Sequence, residues 1–181
     1  VLNNGDQLSL LTTRADSIGL TIYPASAAPT LSSGSVRKIT TELKSVSQWQ
    51  LTIPATQPDI QLTQADDRHF VLKAASMDWS KVNDVFVTFD YRGDRAGCMM
   101  NGELQTDHLY TSAPWTVGLK RYAEALKTSE MYFYFLPMAK DAPYLSYLDK
   151  NVVPDFGNKK EFLEIKKPRI EAEYKIDLQI K

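Results

Sequence analysis

Cysteine is nearly absent from this sequence. Cys98 is the only one among 181 residues, which excludes an intrachain disulfide and any zinc site built from several thiolates. Long apolar runs are missing too, and none approaches the ~18 residues of a membrane-crossing helix. Charge of one sign is not in excess: Lys and Arg number 21 against 22 Asp and Glu, a net charge of −1. No global field therefore draws the chain to nucleic acid or to an anionic membrane. His69 and His108 are the only histidines and fall in no HxxxH or HxH spacing, so hydrogen-bonded or solvated roles are expected rather than a metal centre or a triad. The motifs GxSxG, GxxxxGKS and GxGxxG do not occur, which removes the usual supports for a hydrolase nucleophile or a phosphate cradle. The length also falls short of the ~250 residues of a complete (β/α)₈ barrel.

What remains is a chain with 43% hydrophobic and 24% charged residues, an ordinary globular balance. Its first residues, Val1-Leu2-Asn3-Asn4-Gly5-Asp6, carry neither an initiator Met nor an apolar leader, and read as the start of a processed or excised piece of a longer protein. Period-2 alternation dominates. From Ile170 to Ile180 every even position is apolar or Ala and nearly every odd one is charged, as in a strand with one buried and one wet face. Such a strand is antiparallel or lies at an edge. Val85, Val87, Phe89 and Tyr91 alternate in the same way, and Tyr132 to Leu136 forms an aromatic strand stopped by Pro137. Leu8 to Thr12, Ile18 to Tyr23, Gln50 to Ile53 and Phe70 to Ala74 are further short strands.

Asn101-Gly102 separates two strand-like runs and suits the positive φ angles of a type I′ turn, which predicts a β-hairpin. Helix is scarce. Tyr122 to Thr128 offers about two turns, and Asp78 is placed to cap a short one. The expected fold is all-β, an antiparallel β-sandwich or jelly roll of the galactose-binding-domain-like kind, with little helix. Pro- and Ser-bearing stretches at 24–35 and 54–58 suggest that residues 1–60 form N-terminal strands or a small lobe, and that 61–181 form the jelly-roll-like sandwich.

Asp66, Asp67, Asp90, Asp94 and Asp107 are the carboxylates available for glycoside chemistry, but turn and surface roles suit them better because nothing in the spacing pairs two of them. Loop aspartates and backbone carbonyls leave room for a structural calcium; no other cofactor and no metal-ligating residue is indicated. Arg92-Gly93-Asp94 spells an adhesion tripeptide and reads as a turn after a strand. The aromatics say more. Sugars lay apolar C–H faces on aromatic rings while their hydroxyls seek nearby polar groups. Asp107, Tyr110 and Trp115, on a Pro-containing loop after the hairpin, are therefore candidates for a carbohydrate-contacting or interdomain surface. The alternative for Trp115, as for Trp49 and Trp79, is a place in the core.

The ordered series Val85-Phe-Val-Thr-Phe-Asp-Tyr-Arg-Gly-Asp94, Met100-Asn-Gly-Glu-Leu104, Asp107-His-Leu-Tyr-Thr-Ser-Ala-Pro-Trp115, Val117-Gly-Leu-Lys-Arg-Tyr122 and Leu136-Pro-Met-Ala-Lys-Asp-Ala-Pro-Tyr-Leu145 resembles the C-terminal β-sandwich region of bacterial β-galactosidases of glycoside hydrolase family 35. The resemblance implies a non-catalytic accessory domain of a β-galactosidase-like glycoside hydrolase. Its catalytic glutamates would belong to a barrel elsewhere in the parent protein, so no catalytic residue falls on this chain. The implied partners are that barrel and a galactose-containing glycan, and the implied location is the periplasm or the cell exterior. Gly93, Asp94, Asn101 and Gly102 would be turn residues, with Tyr91 and Leu119 in the core. Two other functions stay open: an autonomous carbohydrate-binding module, and a cell-surface interaction module that offers its terminal strand as an edge.

Overall fold

The alternation found in the sequence is the alternation of the sheets. The structure is a computed structural model, and it describes residues 2–4 and 7–180. Val1, Gly5 and Asp6 of the opening segment, and Lys181 at the end of the alternating run, lie outside the described residues. In chain order the strands are β1 (Leu2–Asn4), β2 (Gln7–Thr12), β3 (Ile18–Ile22), β4 (Thr30–Leu31), β5 (Ser35–Ile39), β6 (Ser47–Thr52), β7 (Gln61–Gln64), β8 (His69–Lys73) and β9 (Asp84–Phe89). They continue as β10 (Tyr91–Arg92), β11 (Arg95–Met100), β12 (Glu103–Leu109), β13 (Trp115–Gly118), β14 (Met131–Leu136), β15 (Met138–Ala139), β16 (Glu161–Phe162), β17 (Glu164–Ile165) and β18 (Arg169–Gln179). No α-helix occurs among the described residues, so the chain is all-β, and its antiparallel sheets form a β-sandwich.

The chain divides into two compact units, one of residues 1–58, 78–85 and 171–181 and the other of residues 59–77 and 86–170. The boundaries fall inside β9 and β18, which contribute residues to both units.

In the first unit β2 pairs antiparallel with β1 on one side and with Tyr174–Gln179 of β18 on the other. Leu178 and Gln179 also pair with β4. The terminal run is thus antiparallel, with Ala172, Tyr174, Ile176 and Leu178 buried at alternate positions, but it is not a free edge, which removes the ground for an edge-pairing interaction module. A second sheet runs β3-β6-β5. Only its central strand has a fully buried row, Ser47, Trp49 and Leu51.

In the second unit five strands run in the order β12-β11-β14-β8-β7, and β9 pairs with β13 through Phe86–Phe89 and Trp115–Gly118. Phe89 and Trp115 from this pair meet Phe133 and Phe135 of β14, and Phe89 also meets Phe70 of β8, with ring centroids 4.9–6.2 Å apart. These rings, edge-on to one another in three of the five pairs, make up the interior between the two layers. Aromatic pairs in this distance range add roughly 0.5–1.5 kcal/mol each beyond their burial.

The Asn101-Gly102 hairpin forms as expected, with φ of 53° at Asn101 and 81° at Gly102, and Met100 opposite Glu103. The expected helix over 122–128 is instead two 3₁₀ turns, Lys120–Tyr122 and Ala125–Lys127. Leu126 is the only fully buried residue of these turns, too little apolar surface to hold a longer helix against the cost of nucleating one. Asp78 caps the 3₁₀ turn Trp79–Lys81 by accepting from the Ser80 N–H at 3.1 Å.

Candidate functional site

The site lies at one end of the β11–β12 hairpin, the end away from its turn. Six residues of β11 at ~3.3 Å each set the two ends roughly 20 Å apart, so Asn101 and Gly102 at the turn are remote from Asp94 and Tyr110. Two backbone bonds fix Asp94. Its N–H donates to the Leu136 carbonyl at 2.9 Å, and its carbonyl accepts from the Tyr110 N–H at 3.0 Å. Gly93 before it is required by close packing rather than by an unusual φ, because a Cβ there would sit 2.8 Å from the Leu136 carbonyl oxygen and 2.9 Å from a Leu163 methyl. The chain can pass this point only without a side chain.

Gly93, Asp94, Leu109, Tyr110, Thr111, Met138, Tyr144 and Leu148 line a cleft of about 350 Å³, near the lower end of the range for small-ligand sites. Asp94 is its only charged lining residue. Tyr144 lies beside it: burial first, then interaction with the negatively charged Asp94 carboxylate, push the phenol up to about 12. Tyr144 stands on the 3₁₀ turn Pro143–Tyr147, whose start is set by proline in the first turn.

Behind Tyr110 lies a second group of rings. Tyr91 is buried, with its centroid 5.7 Å from that of Tyr110 and 5.7 Å from that of His108. The Tyr91 hydroxyl donates to the His108 carbonyl at 3.1 Å, and it has only one proton to give. Its 3.0 Å contact with His108 Nδ1 is therefore a bond in which Nδ1–H donates to the phenol oxygen. Burial, opposed by the charge of Asp107, holds the imidazole below its ordinary pKa. Its ring stacks on Trp115, centroids 6.1 Å apart and planes 14° from parallel.

The sequence-derived candidates thus separate. Tyr110 reaches the cleft together with Gly93 and Asp94, which the sequence marked only as turn residues. Trp115 is 4% exposed and belongs to the core, so it is not a surface platform. Its neighbours Phe89, Phe133 and Phe135 account for that burial. Asp107 is exposed on β12, opposite Gly97 of β11, with Tyr134 and His69 next across β14 and β8. Tyr144, Met138 and Leu148 complete the cleft, and nothing local in the sequence points to them. Tyr144 stands fifty positions from Asp94, and only the tertiary fold joins them.

The other carboxylates serve local partners. His69 Nδ1 lies 2.8 Å from the Asp66 carboxylate, and Lys166 Nζ donates to Asp90 at 2.9 Å. Among the described residues no three His, Cys, Asp or Glu side chains gather to hold a metal ion. No helix there is long and apolar enough to cross a membrane.

A larger cleft of about 650 Å³ lies within the first unit, lined by residues that include Thr56, Lys81, Tyr174 and Lys175. Several of its polar groups are already matched. The Tyr174 hydroxyl donates to the Thr56 carbonyl and accepts from its N–H, both at 3.0 Å. Lys81 pairs with Asp78 at 3.1 Å and Lys175 with Asp177 at 3.2 Å. The smaller cleft, with one unmatched charge and two tyrosines, has more to offer a ligand. No family model, curated protein or solved structure matches the chain.

Proposed function

We propose that this chain is a non-catalytic accessory β-sandwich of a β-galactosidase-like glycoside hydrolase, exported to the periplasm or cell exterior, and that it contacts carbohydrate through the Asp94 cleft. The observation that carries the sugar contact is the composition of that cleft. Tyr110 and Tyr144 offer ring surface, Leu109, Met138 and Leu148 offer apolar wall, and Asp94 offers a fixed acceptor. This is the combination a pyranose uses, with C–H faces on rings and hydroxyls on a few placed polar groups. The ordered series from Val85 to Leu145 supports the tie to β-galactosidases, and both Asp94 and Tyr144 fall within it.

Calorimetric titration of the chain with galactose and methyl β-galactoside up to tens of millimolar tests the contact. Saturable heat that disappears in Asp94→Ala is expected, and a flat titration overturns it. An assay on a chromogenic β-galactoside tests the rest. Turnover abolished by changing one carboxylate of this chain would overturn the non-catalytic assignment. A stand-alone carbohydrate-binding module is the second reading, and the same cleft favours it; the polypeptide sequence preceding Val1 in the parent protein decides between them.

A further inference from the structure

Within the carbohydrate reading, the charge of the cleft selects among sugars. Asp94 brings a negative charge to a half-buried position, and among the described residues no Lys, Arg or His side chain forms an ion pair with it. Neither flanking arginine lines the cleft, and the Arg92 guanidinium lies over the Phe162 ring at 5.3 Å. The cleft therefore presents one carboxylate without an ion pair, beside the hydroxyl-bearing Tyr110, Thr111 and Tyr144 and apolar walls. A group that only donates, and carries a positive charge, satisfies that carboxylate best. The two tyrosine rings reinforce this, because the face of an aromatic ring attracts a cation. Partial burial strengthens the effect by lowering the local dielectric.

We infer that the cleft recognises a protonated amino group, so that an amino sugar occupies it in preference to the corresponding neutral hexose; this rests on the carbohydrate reading. The –NH₃⁺ would sit against the Asp94 carboxylate, with the pyranose C–H face toward Leu109, Tyr110 and Leu148. Replacing a neutral hydrogen bond by a charge-assisted one is worth roughly a tenfold change in affinity.

The experiment titrates the 181-residue chain with D-galactosamine, D-galactose, N-acetyl-D-galactosamine and tetramethylammonium at pH 6.5. Galactosamine is expected to bind about tenfold more tightly than galactose or the uncharged N-acetyl sugar, with the preference lost in Asp94→Asn. Leu148→Lys, which brings a cation to the cleft without touching Asp94, provides the second variant and should also abolish the preference. Equal affinity for galactose and galactosamine overturns the inference and leaves the carbohydrate reading intact. A preference that survives in both variants also overturns it. Binding of tetramethylammonium with no response to any sugar overturns the carbohydrate reading and keeps cation recognition. Silence from all four ligands overturns both.

Discussion

The two units of the chain are built from the same element, the short antiparallel strand, and yet bury their residues very differently. In the second unit Val87, Thr88 and Phe89 of β9 and four of the six residues of β11 are buried, and β14 turns Met131, Phe133 and Phe135 inward while Tyr132 and Leu136 face out. In the first unit β2, β3 and β5 have no fully buried residue, and the load falls on Trp49, Leu51, Ile176 and Leu178. The difference teaches where a sheet protein can hold a rigid site. A dense aromatic interior fixes the backbone above it, and the Asp94 cleft is built on that backbone.

The sharpest way to break this comparison is to remove its central ring. Phe89 is fully buried and touches Phe70, Trp115, Phe133 and Phe135. Phe89→Ala is expected to cost about 3–5 kcal/mol in denaturant unfolding. It should also expose Cys98 to thiol reagents at pH 8. Burial pushes that thiol up to about 12 in the native state, where it is unreactive. Leu51→Ala is the counterpart in the first unit, at a residue with no exposure. Its expected cost is about 2–3 kcal/mol, the lower part of the range for such changes, because flanking strands with little buried surface collapse more easily into the space. A loss equal to that of Phe89→Ala would break the contrast between the units.

Gly97 sharpens the account of the five-stranded sheet. A Cβ at this position would run into the ring of Tyr134, which lies across it from β14. Gly97→Val should cost about 1–3 kcal/mol, and Tyr134→Ala in the same chain should recover most of that loss, a coupling that a double-mutant cycle measures. Gly102 holds φ at +81° with open space around it, so Gly102→Ala costs about 1 kcal/mol through backbone strain alone.

The smallest effect concerns acid. Asp78 is pulled down to about 2 from an ordinary 3.8, first by hydrogen bonding from Ser80 and then by Lys81. A carboxylate with a lowered folded-state pKa stabilises the native state above its unfolded value and loses that contribution as pH falls through the folded one. Asp78→Asn should therefore narrow the stability difference between pH 5 and pH 2, slightly and less so in high salt, because the site is exposed. Unchanged acid dependence in low salt would remove Asp78 from this role.

How much could be read in advance follows the same divide. Phe70 to Ala74, Val85 to Tyr91, Tyr132 to Leu136 and the terminal alternation were legible because each strand has one face against an apolar interior, and the period of two survives in the residue types. The Asn101-Gly102 turn was legible because few residues accept positive φ at two successive positions. Strand β5 was not, since only Val36 among Ser35–Ile39 turns inward and a single apolar residue has no period. The place of Trp115 was ambiguous for another reason: a loop indole serves a core or a platform equally well, and the choice rests on Phe89, Phe133 and Phe135, which are distant in sequence. The Asp94–Tyr144 pair was hidden for the same cause. Asp94 reads as a turn residue until the segment after Pro137 is seen to return to it.

The pairing of β2 with β18 has a consequence in time. The Ser9 hydroxyl donates to the Asp177 carboxylate across 168 positions, and Leu8 lies opposite Leu178. A ribosome making this chain delivers Gln7–Thr12 long before its hydrogen-bonding partner, Tyr174–Gln179. Every residue of the second unit, which ends at residue 170, has been polymerised before that partner exists. The strand made early is completed late, and until then its unpaired N–H and C=O groups are open to any passing edge.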